Sequence, residues 1–341
     1  MIGFFKSRSR TVSNSEIYLT FLALIAGYMA LAVSGCSVAS WKSTLGRHHP
    51  LSGRIWDVSS AGFIDRQNLV SRLARADFLL LGERHDNPDH HLLQAEVLRG
   101  LIAIGRRPAV GFEMFGLDDA RAIANHLAFA PNDAAGLGRA VNWTKSGWPN
   151  WAMYQPIAEA ALQARLQIVA TNLPRATARK MNRDGLAALG PSVRRELGLD
   201  RPLSDATFAT MAADIRDSHC GYASEESVKT MVDVQRARDD QMAQSLIAAS
   251  DPDGAVLVAG AGHVRSDYGI PIYLSAKAAG KQVISIAFVE VDDQKPEPRN
   301  YALANGRLPF DYVWFTARVD DENPCEKFKS QFEQLKKRSD K

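Results

Sequence analysis

The sequence predicts an α/β fold with a mainly parallel sheet that is flanked by helices and carries a helical insertion. Short apolar runs rich in Val and Ile alternate along the chain with longer stretches of helical periodicity. Runs of this kind, bounded by Gly and Pro, are typical of strands that are buried on both faces. Because 46% of the 341 residues are hydrophobic, the chain can bury one large core or two modest ones.

The predicted strands and helices alternate in chain order. The strands are Phe78–Leu81, Ala109–Phe112, Gln167–Ala170, Ala255–Ala259 and Val283–Phe288. The helices are Pro88–Gly100, Leu117–Ala130, Pro156–Arg165, residues 225–249 and Pro271–Gly280. Asn87 before Pro88 is a helix N-cap followed by proline at the first helical position, which sets the start of the helix after the first strand.

Three further segments complete the predicted organisation of the chain. Residues 176–224 are rich in Ala, Arg and Leu and have no strand signal. Together with the helix that follows, they predict a helical lobe at about residues 176–250. The α/β domain is predicted to span residues 49–318, and the charged residues 319–341 are predicted to form a tail.

The N-terminus has the features of a secretory signal. Three basic residues lie within the first ten positions, and an apolar run at residues 17–33 is followed by "VSGCS". The small residues before Cys36 resemble the lipobox of bacterial lipoproteins. We therefore expect residues 1–35 to be a signal peptide, Cys36 to carry a diacylglycerol and a palmitate, and residues 36–48 to form a tether. Ser37 favours the outer membrane, facing the periplasm. The alternative is an uncleaved signal anchor with an incidental cysteine.

Charge and cysteine content exclude some classes of protein and leave one question open. The 41 basic and 38 acidic residues give a net charge of +3, without the basic stripe that nucleic-acid binding requires. Neither GxGxxG nor GKS/T occurs, so no nucleotide is expected. Loss of residues 1–35 would remove a net two positive charges and leave +1. Cys220 and Cys325 either form a disulfide in an oxidising compartment or stay apart.

Polar side chains directly follow four of the predicted strands. They are Glu83 and His85, then Glu113, then Asn172 and Arg175, and finally His263 and Arg265. Because ligands of open parallel sheets bind beyond the carboxyl ends of the strands, we expect these groups to share one site. Glu83 and His85 are two residues apart, so on an extended backbone they point the same way.

Two neighbouring segments allow alternative interpretations. His90 and His91 are expected in the first turn of a helix, where the dipole favours neutral imidazole. They either ligate a metal or cap the helix and face solvent. Trp143, Trp148, Trp151 and Tyr154 form an aromatic segment, and Tyr268 follows His263 closely. The aromatic segment either packs in the core or stacks on a flat aromatic ligand.

Several of these motifs resemble those of one known family. The segments "HPLSGRIWD", "LLGERHDNPDHHLLQ", "GFEMF", "WAMYQPI", "TNLPR", "QRARDDQMA" and "GAGHVRSDYGIPIYL" are similar to the ChaN family of haem-binding lipoproteins, which is grouped with Tiki-type peptidases and erythromycin-esterase-like proteins. The resemblance implies an α/β fold, haem or iron uptake at the cell envelope, and homodimers that sandwich haem.

The resemblance also implies roles for particular residues. A tyrosine oxygen would ligate the haem iron, with Tyr154 as the first candidate and Tyr268 as the second. His85, His263, Arg265 and Arg175 would be further haem contacts. The alternative function is a hydrolase, metal-dependent or not, in which Glu83, His85, Glu113 and His263 activate water. A non-catalytic haem-binding protein is the favoured interpretation. Arg84 stands where the family pattern has Gln.

Overall fold

The computed structural model describes residues 41–330, apart from residues 251, 304, 305 and 328 and the side chain of Pro324. Contacts divide the chain into two units, Met1–Trp41 and Lys42–Lys341, and the fold is that of the second unit. The expected signal peptide, its cleavage site and Cys36 lie outside the described residues.

An eight-stranded sheet forms the centre of the fold. Its strands are β1 (Ile55–Asp57), β2 (Gly62–Ile64), β3 (Phe78–Glu83), β4 (Ala109–Gly116), β5 (Ile168–Asn172), β6 (Ala255–Gly260), β7 (Val283–Glu290) and β8 (Tyr312–Thr316). Their order across the sheet is β2-β1-β8-β7-β3-β6-β4-β5. The six strands from β8 to β5 in this order are parallel to their neighbours. β1 pairs antiparallel with both β8 and β2. The predicted mainly parallel α/β class is confirmed.

Helices connect the strands of the sheet. They are α1 (Arg66–Leu73), α2 (Pro88–Ala103), α3 (Ala120–Phe129), α4 (Ala134–Ala140), α5 (Trp151–Gln163), α6 (Arg175–Asp184), α7 (Pro191–Glu196), α8 (Asp205–Ser218), α9 (Glu225–Ala249), α10 (Ile270–Lys277) and α11 (Pro324–Lys327). As predicted, the Asn87 side chain caps α2 by accepting from the backbone N–H of Asp89 and His90. The four helices between β5 and β6, α6 to α9, form the predicted helical insertion.

The central strands are buried over their whole length. Every residue of β3, β4 and β6 is buried, because helices cover both faces of a parallel sheet. One apolar cluster joins Phe78 of β3 and Leu257 of β6 to Leu246 of α9 and Leu274 of α10. The parallel strands therefore end together on one side, which we call the carboxyl-end edge.

The boundaries of the folded domain differ from those predicted. The backbone N–H groups of Lys42 and Ser43 donate to the buried Asp89 carboxylate at 2.7 and 2.8 Å. The fold therefore begins within the predicted tether of residues 36–48. Cys220 and Cys325 form a disulfide, which fixes the start of the predicted tail, residues 319–341, to the turn between α8 and α9. Residues 331–341 lie outside the described part of the chain.

Candidate functional site

Glu83 is the centre of a buried polar cluster at the carboxyl-end edge. It is the last residue of β3, and its side chain is fully buried. Its Oε1 accepts a hydrogen bond from the Tyr154 hydroxyl at 2.9 Å and lies 2.9 Å from His85 Nδ1. Its Oε2 lies 3.0 Å from His91 Nδ1. Burial opposes ionisation, but His91 and His85 outweigh it and lower the pKa of Glu83 to about 2.

His91 is buried between two acceptors. Its Nε2 donates to the backbone carbonyl of His85 at 3.0 Å, while its Nδ1 lies 3.0 Å from Glu83 Oε2. Burial lowers the pKa of His91, but Glu83 outweighs it and raises the pKa above its ordinary value. The expectation of a solvent-facing imidazole here is wrong, because the ring is fully buried.

His90 is a buried neutral imidazole. Its Nδ1 accepts from the backbone N–H of Arg84 at 2.9 Å, so its Nε2 carries the proton and donates to Thr316 Oγ1 at 2.9 Å. Burial lowers the pKa of His90 to about 3. Both nitrogens are used within the fold, so His90 joins the loop after β3 to β8 and neither ligates a metal nor faces solvent.

Glu113 of β4 organises the second half of the cluster. Its Oε2 accepts from the Gly260 backbone N–H at 2.6 Å, and its Oε1 accepts from Arg238 at 2.5 Å. His263 Nε2 lies 3.3 Å from the same Oε1, and His263 Nδ1 lies 2.5 Å from Asp239 Oδ1. Burial opposes charge on His263, but Glu113 and Asp239 raise its pKa to about 9. Burial raises the pKa of Asp239 to about 6.

His85 differs from the other three imidazoles at this edge because it is partly exposed. Its side chain is 33% exposed, and its ring lies 4.9 Å from that of the partly exposed Trp148. Its Nδ1 lies against Glu83, as expected from their spacing. Its Nε2 faces Gly260, where an added Cβ would come within 2.9 Å of Nε2 and 3.5 Å of Glu113 Oε2. The absence of a side chain at Gly260 therefore lets the His85 ring approach this part of the backbone closely.

The two tyrosines predicted as iron ligands are both engaged within the fold. Tyr154 is fully buried, and its hydroxyl donates to Glu83. Burial and the Glu83 charge both raise its pKa, which opposes formation of the phenolate. Tyr268 is also buried and donates to Asp214 at 2.7 Å. In this arrangement both hydroxyls donate to carboxylates, so iron ligation by either tyrosine stays a prediction that requires the hydroxyl to leave its present partner.

The predicted arginines lie at the same edge but differ in accessibility. Arg265 is buried, contacts Asp214 and Asp267 at 2.7 Å each, and stacks on the Tyr268 ring. The Arg175 side chain is 27% exposed and lies 3.4 Å from Asp119. Asn172 donates to the Glu113 backbone carbonyl at 2.8 Å. All three residues therefore lie at this edge, and Arg265, although buried, lines a cavity together with Tyr268.

Three site residues on α9 escaped sequence reasoning. Arg238 and Asp239 contact Glu113 and His263 as described above, and the Gln235 amide lies 2.9 Å from His263 Nδ1. A signal was present, because Gln235 and Asp239 are four residues apart and share one helix face. Nothing in a single helix, however, reveals which strand end that face approaches.

Two cavities flank the cluster. One, of about 300 Å³, is lined by residues that include Gln235, Gly262, Arg265 and Tyr268. The other, of about 510 Å³, is lined by Trp143, Trp148, Trp151 and Arg139 among others. Trp143 and Trp151 are largely buried, and their indole N–H groups donate to backbone carbonyls. The aromatic segment thus serves both as core and as the wall of a cavity beside His85.

Comparison with known protein families identifies the chain. Residues 69–274 match the family described as "Haem-binding uptake, Tiki superfamily, ChaN". The chain belongs to the ChaN family. The match extends over β3 to β6 and α10, and thus includes both halves of the cluster at the carboxyl-end edge.

Comparison with solved structures finds similar chains, and one of them, a ChaN, has the same fold. ChaN of Campylobacter jejuni, described with cofacial haem binding, is 19% identical, with a TM-score of 0.60 over 76% of this chain and 95% of its own. A mutant erythromycin esterase, EreC, in its open conformation is 14% identical, with a TM-score of 0.42 over 87% of this chain and 88% of its own. Comparison with curated proteins finds no match.

The described residues contain neither a metal-binding group of side chains nor a membrane-spanning helix. Within residues 41–330 and their stated gaps, no group of three or more His, Cys, Asp or Glu side chains is arranged to hold a metal ion. In the same part of the chain, no helix combines the length and apolarity needed to cross a membrane.

Proposed function

We propose that this ChaN family member binds haem and contributes to haem or iron uptake at the bacterial cell envelope. The observation that carries the proposal is the match of residues 69–274 to a family of haem-binding uptake proteins. The fold shared with a ChaN that binds haem cofacially supports it. Haem is therefore the expected cargo, and no nucleotide is required.

His85 is the proposed contact to the haem iron. It combines a partly exposed ring, an Nδ1 held by the Glu83 carboxylate and an Nε2 that forms no hydrogen bond to the described residues. A carboxylate behind a ligating histidine fixes the ring and increases the basicity of its other nitrogen. Imidazole is a common axial ligand of haem iron. These features fit a haem better than the two engaged tyrosines do.

Neighbouring side chains fit the remainder of the haem. Trp148 lies beside His85 and offers an aromatic face to a flat macrocycle. Arg238 and Arg175 have side chains that are 22% and 27% exposed, so each can offer N–H donors to a propionate. His263 supports the site indirectly, because it holds Glu113 in place.

The cellular location is proposed from the sequence alone. Residues 1–35 would be removed, and Cys36 would carry the lipid that anchors the chain to the outer membrane, facing the periplasm. Pairing of two chains around haem, which the family resemblance implies, is proposed as well. Fatty-acid labelling of cells that make the wild type or Cys36→Ser tests the anchor, and equal label on both would contradict it.

A hemin titration of the lipid-free domain, residues 37–341, tests the proposed function. The Soret band should shift and saturate at a fixed ratio of hemin to protein. His85→Ala should weaken binding at least tenfold, since an iron–ligand bond is lost. His126→Ala is the matched control, because that imidazole contacts the Asp133 backbone carbonyl outside the cluster. A band that never saturates in the wild type would contradict haem binding.

A hydrolase is the second candidate function, and one feature of the site favours it. His85 Nε2 and the Glu113 carboxylate both lie close to Gly260, and a water molecule bound beside them could donate to one of them as a general base. A panel of ester and peptide substrates tests this possibility. Turnover by the wild type that His85→Ala abolishes and Trp148→Ala retains would support the hydrolase, whereas haem binding requires Trp148→Ala to weaken the hemin complex.

A further inference from the structure

The positive charge of this protein is concentrated in one part of the helical insertion. Residues 175–201 contain seven basic and three acidic residues, a net charge of +4. The chain from Cys36 onward has a net charge of +1, so the remainder of that chain is negative at −3. We call residues 175–201 the basic lobe. Charge asymmetry of this size indicates an anionic partner rather than a uniformly solvated surface.

Several of these basic side chains are exposed and unpaired among the described residues, so they can contact an anionic partner. Arg179, Lys180, Arg195 and Arg201 are exposed, and within the described part of the chain none of them forms an ion pair with a carboxylate. Arg183, by contrast, pairs with the adjacent Asp184. The apolar side of the lobe is already used, because Met181, Leu189 and Leu197 pack into a cluster with Val234 of α9. The outward side of the basic lobe therefore carries the exposed basic side chains.

The basic lobe lies at the carboxyl-end edge of the sheet. Its first helix, α6, begins three residues after the end of β5. The first described residues of the domain are held at the same edge, since Lys42 and Ser43 donate to Asp89 in the first turn of α2, after β3. Strands β3 and β5 are separated by β6 and β4, so their ends are roughly 14 Å apart at the usual strand spacing.

Chain length links this edge to the proposed lipid anchor. Seven residue steps separate Cys36 from Ser43, and a chain of that length spans at most about 25 Å. An acyl group on Cys36 would therefore keep the edge that carries the basic lobe close to a bilayer. The lobe offers dispersed cations on an outward surface and the partly exposed Val193 of α7, which suits a flat layer of headgroups.

We propose that the basic lobe binds the headgroups of anionic phospholipids, so that the carboxyl-end edge and the site at it face the bilayer. The lipid on Cys36 supplies attachment, and the lobe supplies orientation. Each Lys or Arg near an anionic membrane strengthens binding by about 1 kcal/mol, or roughly fivefold. The proposal rests on the exposed cations Arg179, Lys180, Arg195 and Arg201, which are not part of the proposed haem site; only Arg175, at the start of the lobe, is shared with that site. Binding to vesicles is therefore tested separately from haem binding.

Vesicle sedimentation of the lipid-free domain, residues 37–341, tests the proposal. We expect binding to vesicles of phosphatidylcholine with 30% phosphatidylglycerol, little binding to phosphatidylcholine alone, and loss of binding as salt is raised. The triple variant Arg179→Gln, Lys180→Gln, Arg195→Gln should reduce partitioning by roughly two orders of magnitude. Circular dichroism and thermal unfolding should be unchanged, because all three side chains are exposed.

A matched control has the same change in charge at the opposite edge. Arg75, Arg107 and Arg165 are exposed, precede the amino ends of β3, β4 and β5, and form no ion pair within the described residues. Their joint replacement by Gln should leave partitioning nearly unchanged. Equal loss in the two triple variants would show attraction by net charge alone and would overturn the proposal, as would binding that does not depend on phosphatidylglycerol. Competition by free phosphate or by nucleic acid at equal charge would also count against a lipid surface.

Discussion

At the scale of single residues, the protein distinguishes four histidines by the groups that face their two nitrogens. His91 and His263 each lie between two acceptors, and the neighbouring carboxylates raise the pKa of both rings. His90 accepts with one nitrogen and donates with the other, so it stays neutral. His85 contacts a carboxylate through Nδ1 only, and its ring is partly exposed. His85 is thus the imidazole in this cluster with a nitrogen left for a ligand.

Gly260→Ala tests the close approach of Gly260 to His85 Nε2. The new Cβ would lie 2.9 Å from His85 Nε2, which is too close, so the imidazole must move. We expect a stability cost of about 1 kcal/mol, at the low end of overpacking because His85 can shift, and at least a tenfold loss of hemin affinity. Gly262→Ala, in the next turn, is the control because nothing lies within 4 Å of its Cβ. Equal hemin affinity in both variants would contradict the assigned role of Nε2.

The high pKa of His263 predicts how stability depends on pH. Burial opposes its charge, but Glu113 and Asp239 raise the folded-state pKa to about 9 from the ordinary histidine value of 6.5. The stabilisation from this group is therefore complete below pH 6.5 and is lost as the pH rises through 9. Urea unfolding at several pH values should show this fall in the free energy of unfolding.

Asp239→Asn provides the comparison for this prediction. The variant removes one of the carboxylates that stabilise the imidazolium, so the decline in stability should begin at a lower pH and be smaller. An NMR titration in which the wild-type His263 ring titrates near 6.5 would contradict the assignment.

Sequence reasoning succeeded at this scale where local spacing decides the outcome. The separation of Glu83 and His85 by two residues predicted their contact, and Asn87 before Pro88 predicted the cap of α2. It failed where a distant partner decides. The Tyr154 hydroxyl donates to the Glu83 carboxylate, which lies on a strand 71 positions earlier in the chain.

At the scale of secondary-structure elements, the five predicted strands all exist, but three others were missed. β1 and β2 have three residues each, too few for an apolar pattern to stand out. β8, "YVWFT", is fully buried, and its aromatic and β-branched residues were a signal that could have been used. α5 begins at Trp151 rather than at Pro156, because Asn150 caps it and the proline lies inside the helix.

The disulfide joins two elements that are far apart in the chain, and its loss should be costly. Cys220 and Cys325 are separated by 105 positions, and a closed loop of that size is expected to contribute up to about 4.7 kcal/mol. Cys220→Ser with Cys325→Ser should therefore lower the free energy of unfolding by about 2–5 kcal/mol, measured by urea unfolding. A reducing agent should lower wild-type stability similarly and leave the double variant unchanged.

A smaller effect is possible only if other contacts hold the same segment. The Val319 backbone N–H donates to Glu290, and Lys327 contacts Asp320 at 2.5 Å. Glu290 also accepts from Arg84 at 2.5 Å, next to His85. An unchanged free energy of unfolding in the double variant would mean that these contacts, and not the disulfide, fix residues 319–327.

At the scale of the whole molecule, the carboxyl-end edge brings together the candidate haem site, the start of the folded chain and the basic lobe. The sequence could predict the shared edge, because four strands end in polar residues and the fold class dictates that parallel strands end together. It could not predict which helices cover that edge, since the segment "QRARDDQMA" of α9 matches the family pattern but does not reveal that its Arg238 and Asp239 approach Glu113 and His263.

The central claim is that His85 of this ChaN family member ligates the iron of bound haem, and resonance Raman spectroscopy tests it most directly. The hemin complex of residues 37–341 would be prepared with ordinary and with ¹⁵N-labelled histidine and then reduced. If His85 ligates the iron, we expect an iron–imidazole stretching band that moves to lower frequency with the label and is absent in His85→Ala. Phenolate vibrations in the ferric complex, with no band that responds to labelled histidine, would contradict ligation by His85 and show that a tyrosine is the ligand.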